Sequence, residues 1–129
     1  MPSYTKQYGD VIMSVTSVHV LDAELAKRVG IVGPYDFVNH GLRGYTEPDH
    51  FPITFRPSLC ASDALMVAAE YDMRIEFRSS FADRQNGFVE IEWCGDSLRV
   101  DHNDERSDKL RAMCAAVMEM ASRITEIPR

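Results

Sequence analysis

Several of the features that identify a protein's chemistry are missing from these 129 residues, and each absence removes a class of function. The three cysteines, Cys60, Cys94 and Cys114, are odd in number, far apart and show no Cys-x-x-Cys spacing. They do not make a disulfide framework and fit a reducing compartment. No stretch approaches the roughly 20 apolar residues of a membrane span. The first residues also lack a basic segment followed by an apolar run of roughly 7 to 15 residues, the mark of a secretory signal. The expectation is a cytoplasmic protein, with no membrane partner. Basic residues are scarce as well: 14 Lys and Arg stand against 20 Asp and Glu, for a net charge of −6. Binding to a phosphate backbone needs a basic stripe that releases counterions, so direct contact with nucleic acid is not expected. The four histidines, His19, His40, His50 and His102, have no His-x-x-x-His or Cys/His ligand spacing. Neither a metal nor a cofactor is therefore expected. Gly30-Ile31-Val32-Gly33 lacks the strand-to-helix setting of a nucleotide loop, and turn chemistry accounts for it.

What is present is periodicity. From Leu110, apolar residues recur as Met113, Cys114, Val117, Met118, Ala121 and Ile124, the stripe of an amphipathic helix, with Arg111, Glu119, Ser122 and Arg123 off it. Asn103, Asp104 or Ser107 can accept backbone N–H bonds at its start, where Asp104, Glu105 and Asp108 also suit the macrodipole. Glu119 and Arg123 form an i, i+4 pair near its end, before Pro128. An earlier helix opens after Pro57, with Ser58 or Ser62 as cap and Asp63 in its first turn, and ends by about Asp72. Leu59, Leu65, Met66 and Ala69 are its expected inward residues.

Between these helices the period changes to two. Met73, Ile75 and Phe77 alternate with Arg74, Glu76 and Arg78, and Val89, Ile91 and Trp93 with Glu90 and Glu92. Each strand has a dry face and a charged one. Paired as a hairpin through Ser79 to Gly87, with Asn86-Gly87 as turn, they would set arginines beside glutamates. Cys94-Gly95-Asp96-Ser97 reads as a second turn into a short strand, Leu98 to Asp101, with Leu98 and Val100 inward. The expected fold is α+β and two-layered: an α-β-β-β-α core whose antiparallel sheet carries helices on its apolar face alone.

The run Ser62-Asp63-Ala64-Leu65, the segments Tyr71-Asp72-Met73-Arg74-Ile75 and Gly87-Phe88-Val89-Glu90-Ile91, and Lys109-Leu110-Arg111-Ala112-Met113-Cys114-Ala115-Ala116 together resemble the phage ABA-sandwich domain family, which includes the NinX-like phage proteins. The resemblance covers about half the chain, residues 62–124. It implies an accessory protein of phages or prophages, located in a bacterial host cell. It transfers no catalytic residue, because the family looks like one without a general assigned activity. Some sixty N-terminal residues lie outside it.

That N-terminal part begins with a β-rich stretch, Val11 to Leu21, expected to add a strand to the sheet. Asp22 should cap a short helix, Ala23 to Val29, ended by Gly30. Residues 33–57 keep no period, since Gly33-Pro34, Gly41, Gly44, Pro48, Pro52 and Pro57 interrupt every element, and they read as one long loop. Its aromatics, Tyr35, Phe37, Tyr45, Phe51 and Phe55, argue for order. One domain over 1–129 is expected, with 1–57 preceding the 58–124 core; a chain this long buries roughly two-thirds of its unfolded surface.

The loop is the strongest functional candidate. Tyr35, His40, Arg43, Tyr45, Asp49 and His50 put aromatic faces, a guanidinium and titratable groups on a glycine-hinged segment, a composition shared by small-molecule pockets and protein interfaces. Aromatics that plug the open end of a core, beside solvated polar groups, would give the same pattern. A second candidate is the acidic cluster Asp101, Asp104, Glu105 and Asp108, which could imitate a phosphate track, although His102 and Arg106 interrupt it and a solvated helix start would carry the same charges. Histidine paired with Cys60 or a serine is compatible with catalysis but specific for nothing. Cys114 reads as a small core residue. The methionines serve as core filler, with Met118 and Met120 as a candidate homodimer seam. The resulting expectation is a binding protein rather than an enzyme, one that inhibits or sequesters a component of host defence or metabolism. Its partner is a host or phage protein or a small molecule. The alternatives are a sponge for a nucleotide-like ligand, or a small enzyme, using residues 33–57, and an acidic inhibitor that mimics nucleic acid.

Overall fold

The computed structural model describes residues 19–79, 86–103 and 106–128. In chain order these form a helix over 19–28 (α1), strands Ile31–Val38 (β1), Gly41–Thr46 (β2) and Pro52–Phe55 (β3), and helix Ala61–Glu70 (α2). Strands Arg74–Ser79 (β4), Asn86–Trp93 (β5) and Asp96–Asn103 (β6) follow, and helix Arg106–Thr125 (α3) closes the order. β1-β2-β3 is one antiparallel sheet and β4-β5-β6 a second. The fold is α+β, and α2 to α3 has the expected α-β-β-β-α order. No helix among the described residues is long and apolar enough to cross a membrane.

The second sheet follows from its alternation. Val89 and Ile91 are fully buried, and Ile75, Leu98 and Val100 pack partly buried against the same core, because α3 lies over β5 and β6. On the opposite face Arg74 stands opposite Glu92, and its Nη1 lies 3.5 Å from that carboxylate. Arg78 Nε lies 3.8 Å from Glu90. The arginines therefore lie beside the glutamates as the alternation predicts, in exposed pairs worth about 0–1 kcal/mol each. Phe77 departs from the pattern: it is 51% exposed, because α3 covers β5 and β6 and β4 is at the sheet's edge. Asn86-Gly87 is not the hairpin turn. Both residues are paired in β5, with Gly87 between Ser79 and His102 and its Cα 'side chain' space closed by Arg78 O, 2.4 Å from where a Cβ would stand. Residues 80–85 fall outside the described ones. The Cys94-Gly95 turn forms as expected, with φ of 48° and 84°, and β6 runs beyond the predicted strand at both ends.

The helices bury different faces from those expected. α2 buries Ala64, Val67 and Ala68, while Leu59, Leu65 and Met66 are exposed. Its stripe starts at Ala61 and consists mostly of alanines, so the larger side chains point the sequence pattern to the wrong face. α3 contacts α2 as well as the sheet, so it buries Ala112, Met113, Cys114, Ala116, Val117, Met118, Met120 and Ala121. Met120 and Met118 belong to this core, and the predicted dimer seam is therefore not a surface. Leu110, expected inward, is 40% exposed.

The largest revisions are N-terminal. His19, Val20 and Leu21 are helical, while residues 11–18 of the predicted strand lie outside the described residues. Leu21 and Leu25 are four apart, and both are buried with Ala26, so tertiary burial overrides the β propensity of Val20. Asp22 is not a cap but an internal, buried residue of α1, which gives way at Gly30 with φ 90°. The predicted 33–57 loop is a three-stranded meander. Its prolines sit where a ladder tolerates them: Pro34 in the register break between Val32 and Asp36, Pro48 in a turn, and Pro52 at the first position of the edge strand β3. Gly41 is required by a close approach, since a Cβ there would meet Phe55 O at 2.2 Å. Of the aromatics, Phe55 fills the core, Tyr35 is half-buried, and Phe37 and Phe51 are exposed.

The two helix faces make opposite predictions. Met120→Ala should lower the unfolding free energy by about 2–5 kcal/mol, and Leu65→Ser should change it by no more than about 0.5 kcal/mol, both read from urea titrations.

Candidate functional site

Two rows of side chains share the open face of the first sheet. Asp36 stands opposite Arg43, which stands opposite Thr54; two residues along β2, Val32, Tyr45 and Pro52 form the next row. The intervening residues, Leu42 and Gly44, are buried on the other face, with Phe55 beneath. Pro34, Asp36, Arg43, Gly44, Tyr45 and Pro52 line a cleft of about 250 Å³ on this open face. The guanidinium and the carboxylate are both exposed and lie in one row, and the tyrosine ring stands beside them.

Local structure fixes the tyrosine. His50 stacks on Tyr45 with ring centroids 4.7 Å apart and planes 4° from parallel. The β2–β3 turn holds His50 in place: its N–H donates to Thr46 O (2.8 Å), Thr46 N–H donates to Phe51 O (2.9 Å), and Phe51 N–H donates to Thr46 Oγ1 (3.2 Å). His50 adopts φ 63°, in the left-handed region that a histidine occupies only when its surroundings hold it there. Thus Arg43, Tyr45 and His50 come together as one polar, aromatic group. Asp49 is exposed on the adjoining turn.

The other two predicted residues are elsewhere. Tyr35 belongs to the inner face, where its hydroxyl donates to Ile31 O at 2.6 Å and its ring lies under Gly44. Burial pushes its phenol above the ordinary value, and Glu24 adds to the effect. His40 sits in the tight turn between Val38 and Gly41, at the opposite end of β2 from His50, and its carbonyl accepts from Ser58 Oγ (3.3 Å). Its neighbours include Asp22, whose carboxylate feels the charge of His40. His19 Nδ1 lies 3.5 Å from Asp22 Oδ2, and the His19 ring stacks on Phe37 at 4.6 Å.

The acidic cluster is partly engaged within the fold. Asp101 accepts from Arg99 Nε at 3.1 Å, and Asp108 Oδ2 accepts from the Asn103 N–H at 2.8 Å, which ties the end of β6 to the first turn of α3. Asp104 and Glu105 lie outside the described residues. Among the described residues, no group of three or more His, Cys, Asp or Glu is placed to hold a metal ion. Cys114 is buried, and burial raises its thiol above the ordinary value, with Cys60 and Asp63 adding to the shift.

Pro34, Asp36 and Pro52 escaped sequence reasoning. Their signal was the alternation of Arg43 and Tyr45 with Leu42 and Gly44, but recognising Asp36 as the neighbour of Arg43 requires a register that spans a bulge. No protein-family model matches this chain, and no curated protein matches it.

The buried Asp22 gives a pH prediction. Burial raises its native pKa above 3.8, although His19 and then His40 oppose the shift. The folded state therefore binds its proton more tightly than the unfolded chain. This contribution is fully present below the unfolded value and lost as pH rises through the higher native one. Asp22→Asn should remove that loss, so the change in unfolding free energy from pH 4 to pH 7 should be more positive in the variant than in the native chain. Urea titrations at the two pH values measure it.

Proposed function

We propose that this chain acts by binding, without catalysing a reaction, and that the open face of the first sheet is its contact surface. The observation that carries this is the 250 Å³ cleft in which Arg43, Asp36 and Tyr45 stand side by side on paired strands. Strand-borne side chains are held more firmly than loop-borne ones, so less conformational entropy is lost when a partner is engaged. Arginine and tyrosine are the residue types that contribute most where an interface core is desolvated. The resemblance of residues 62–124 to the phage ABA-sandwich family supports a phage-type accessory role in the cytoplasm of a bacterial host. There the partner is a host or phage protein of defence or metabolism, which this chain inhibits or sequesters.

The residue types that line the cleft support a second reading, a sponge for a nucleotide-like small molecule in which Arg43 meets an anionic group and Tyr45 a planar ring. Melting temperatures taken with a panel of nucleotides separate the two readings. The sponge requires a rise in melting temperature that Arg43→Ala abolishes, and a protein binder requires none.

For the protein-binding reading, the tagged native chain and an Arg43→Ala/Tyr45→Ala variant are used to capture partners from bacterial lysate. The expected result is a defined protein retained by the native chain and reduced at least about tenfold with the variant, a loss of roughly 1.4 kcal/mol. Equal retention by both would remove this face from the site.

A further inference from the structure

We propose that β4 is the edge through which two copies of this chain join, antiparallel and about a two-fold axis at Phe77, so that the second sheet becomes six-stranded. Among the described residues β4 pairs only with β5, which leaves the N–H and C=O groups of its other edge available as a template for a further strand. Sheet edges are commonly protected by charges that repel a copy of themselves. This one carries Arg74, Glu76 and Arg78 on one face, in alternating sign.

A two-fold axis at Phe77 places residues equally distant from it opposite one another. Glu76 of each copy then faces Arg78 of the other, so one alternation yields two complementary cross-strand pairs. Arg78 and Glu76 bond each other within the strand at 3.2 Å and Arg78 Nε lies 3.8 Å from Glu90, but their side chains are 52% and 39% exposed, so both reach the surface and can exchange these partners for those of the copy. On the opposite face the axis brings the two Phe77 rings together. Phe77 is the described residue of β4 and β5 whose apolar side chain is most exposed, at 51%, beside the strands β5 and β6 over which α3 lies. Pairing would bury it against its own copy.

The other edge and the other axis fit less well. β6 carries a similar alternation, Arg99 and Asp101, bonded to each other at 3.1 Å as Arg78 and Glu76 are at 3.2 Å, but Arg99 is also held over the Phe88 ring at 3.8 Å. Its apolar residues, Leu98 and Val100, are already half-buried. An axis at Ile75 would pair Arg74 with Glu76, but it would set Phe77 opposite Met73, outside β4, instead of against its own copy.

Sedimentation equilibrium on the full chain tests the proposal. The native chain should reach twice its 14.6 kDa mass as concentration rises. Arg78→Glu and Glu76→Arg should each weaken self-association at least tenfold, because like charges then face across the axis. An equimolar mixture of the two variants should recover the dimer mass, since each supplies the charge that the other lacks. Phe77→Lys should also give monomer, with circular dichroism checking that every variant is folded. A native chain that stays monomeric, a dimer indifferent to all three substitutions, or one lost instead with Arg99→Glu or Arg74→Glu would overturn the assignment.

Discussion

The two-sided burial of α3 is the constraint from which most of the remaining architecture follows. One helix meets β5 and β6 and also α2, so its apolar stripe must be wider than a surface helix needs, and eight of its described residues leave the solvent. Helices pack with axes about 8–10 Å apart, at the short end where the facing residues are small. Ala64 and Ala68 of α2, together with Ala112, Ala116 and Ala121 of α3, supply small residues for that layer. Met113, Met118 and Met120 fill the irregular space left beside them. The same economy explains the exposure of Leu65 and Met66, since the side of α2 that approaches the core has no room for them.

The first sheet is joined to this layer through one continuous core. Leu42 and Phe55 from the sheet, Leu21 and Leu25 from α1, and Val67 from α2 belong to the same buried cluster as Ile91 and Val117. The inner face of the meander is therefore fixed, and strict alternation turns Arg43 and Tyr45 outward as a consequence. The site's geometry derives from packing on the far side of its own strands.

The sequence was most legible where a single period ran undisturbed. The alternation over 73–78 and 89–93, the Cys94-Gly95 turn and the stripe around Met113, Val117 and Ala121 each correspond to an element in the structure. It was least legible where small residues carried the pattern. The alanine face of α2 has little hydrophobic contrast, so Leu59, Leu65 and Met66 drew the reading away from it. In β1 to β3 the glycines and prolines resemble interruptions along the sequence, yet they occupy a bulge, a close contact and an edge. For the candidate site, Arg43, Tyr45 and His50 were recognisable as residue types. Their separation from Tyr35 and His40 depends on strand pairing between residues far apart in the chain, which no local pattern encodes.

The charged face of the second sheet also bears on how an encounter would begin. Arg74, Arg78 and Arg99 lie among Glu76, Glu90, Glu92 and Asp101, so the fields of these groups largely cancel within a few ångströms. The net −6 of the chain must then be expressed mainly from other parts of its surface. A charged molecule diffusing toward this face would feel little long-range pull, and its rate of association there should respond weakly to ionic strength. This surface is suited to contacts that form after approach, and not to guiding the approach itself.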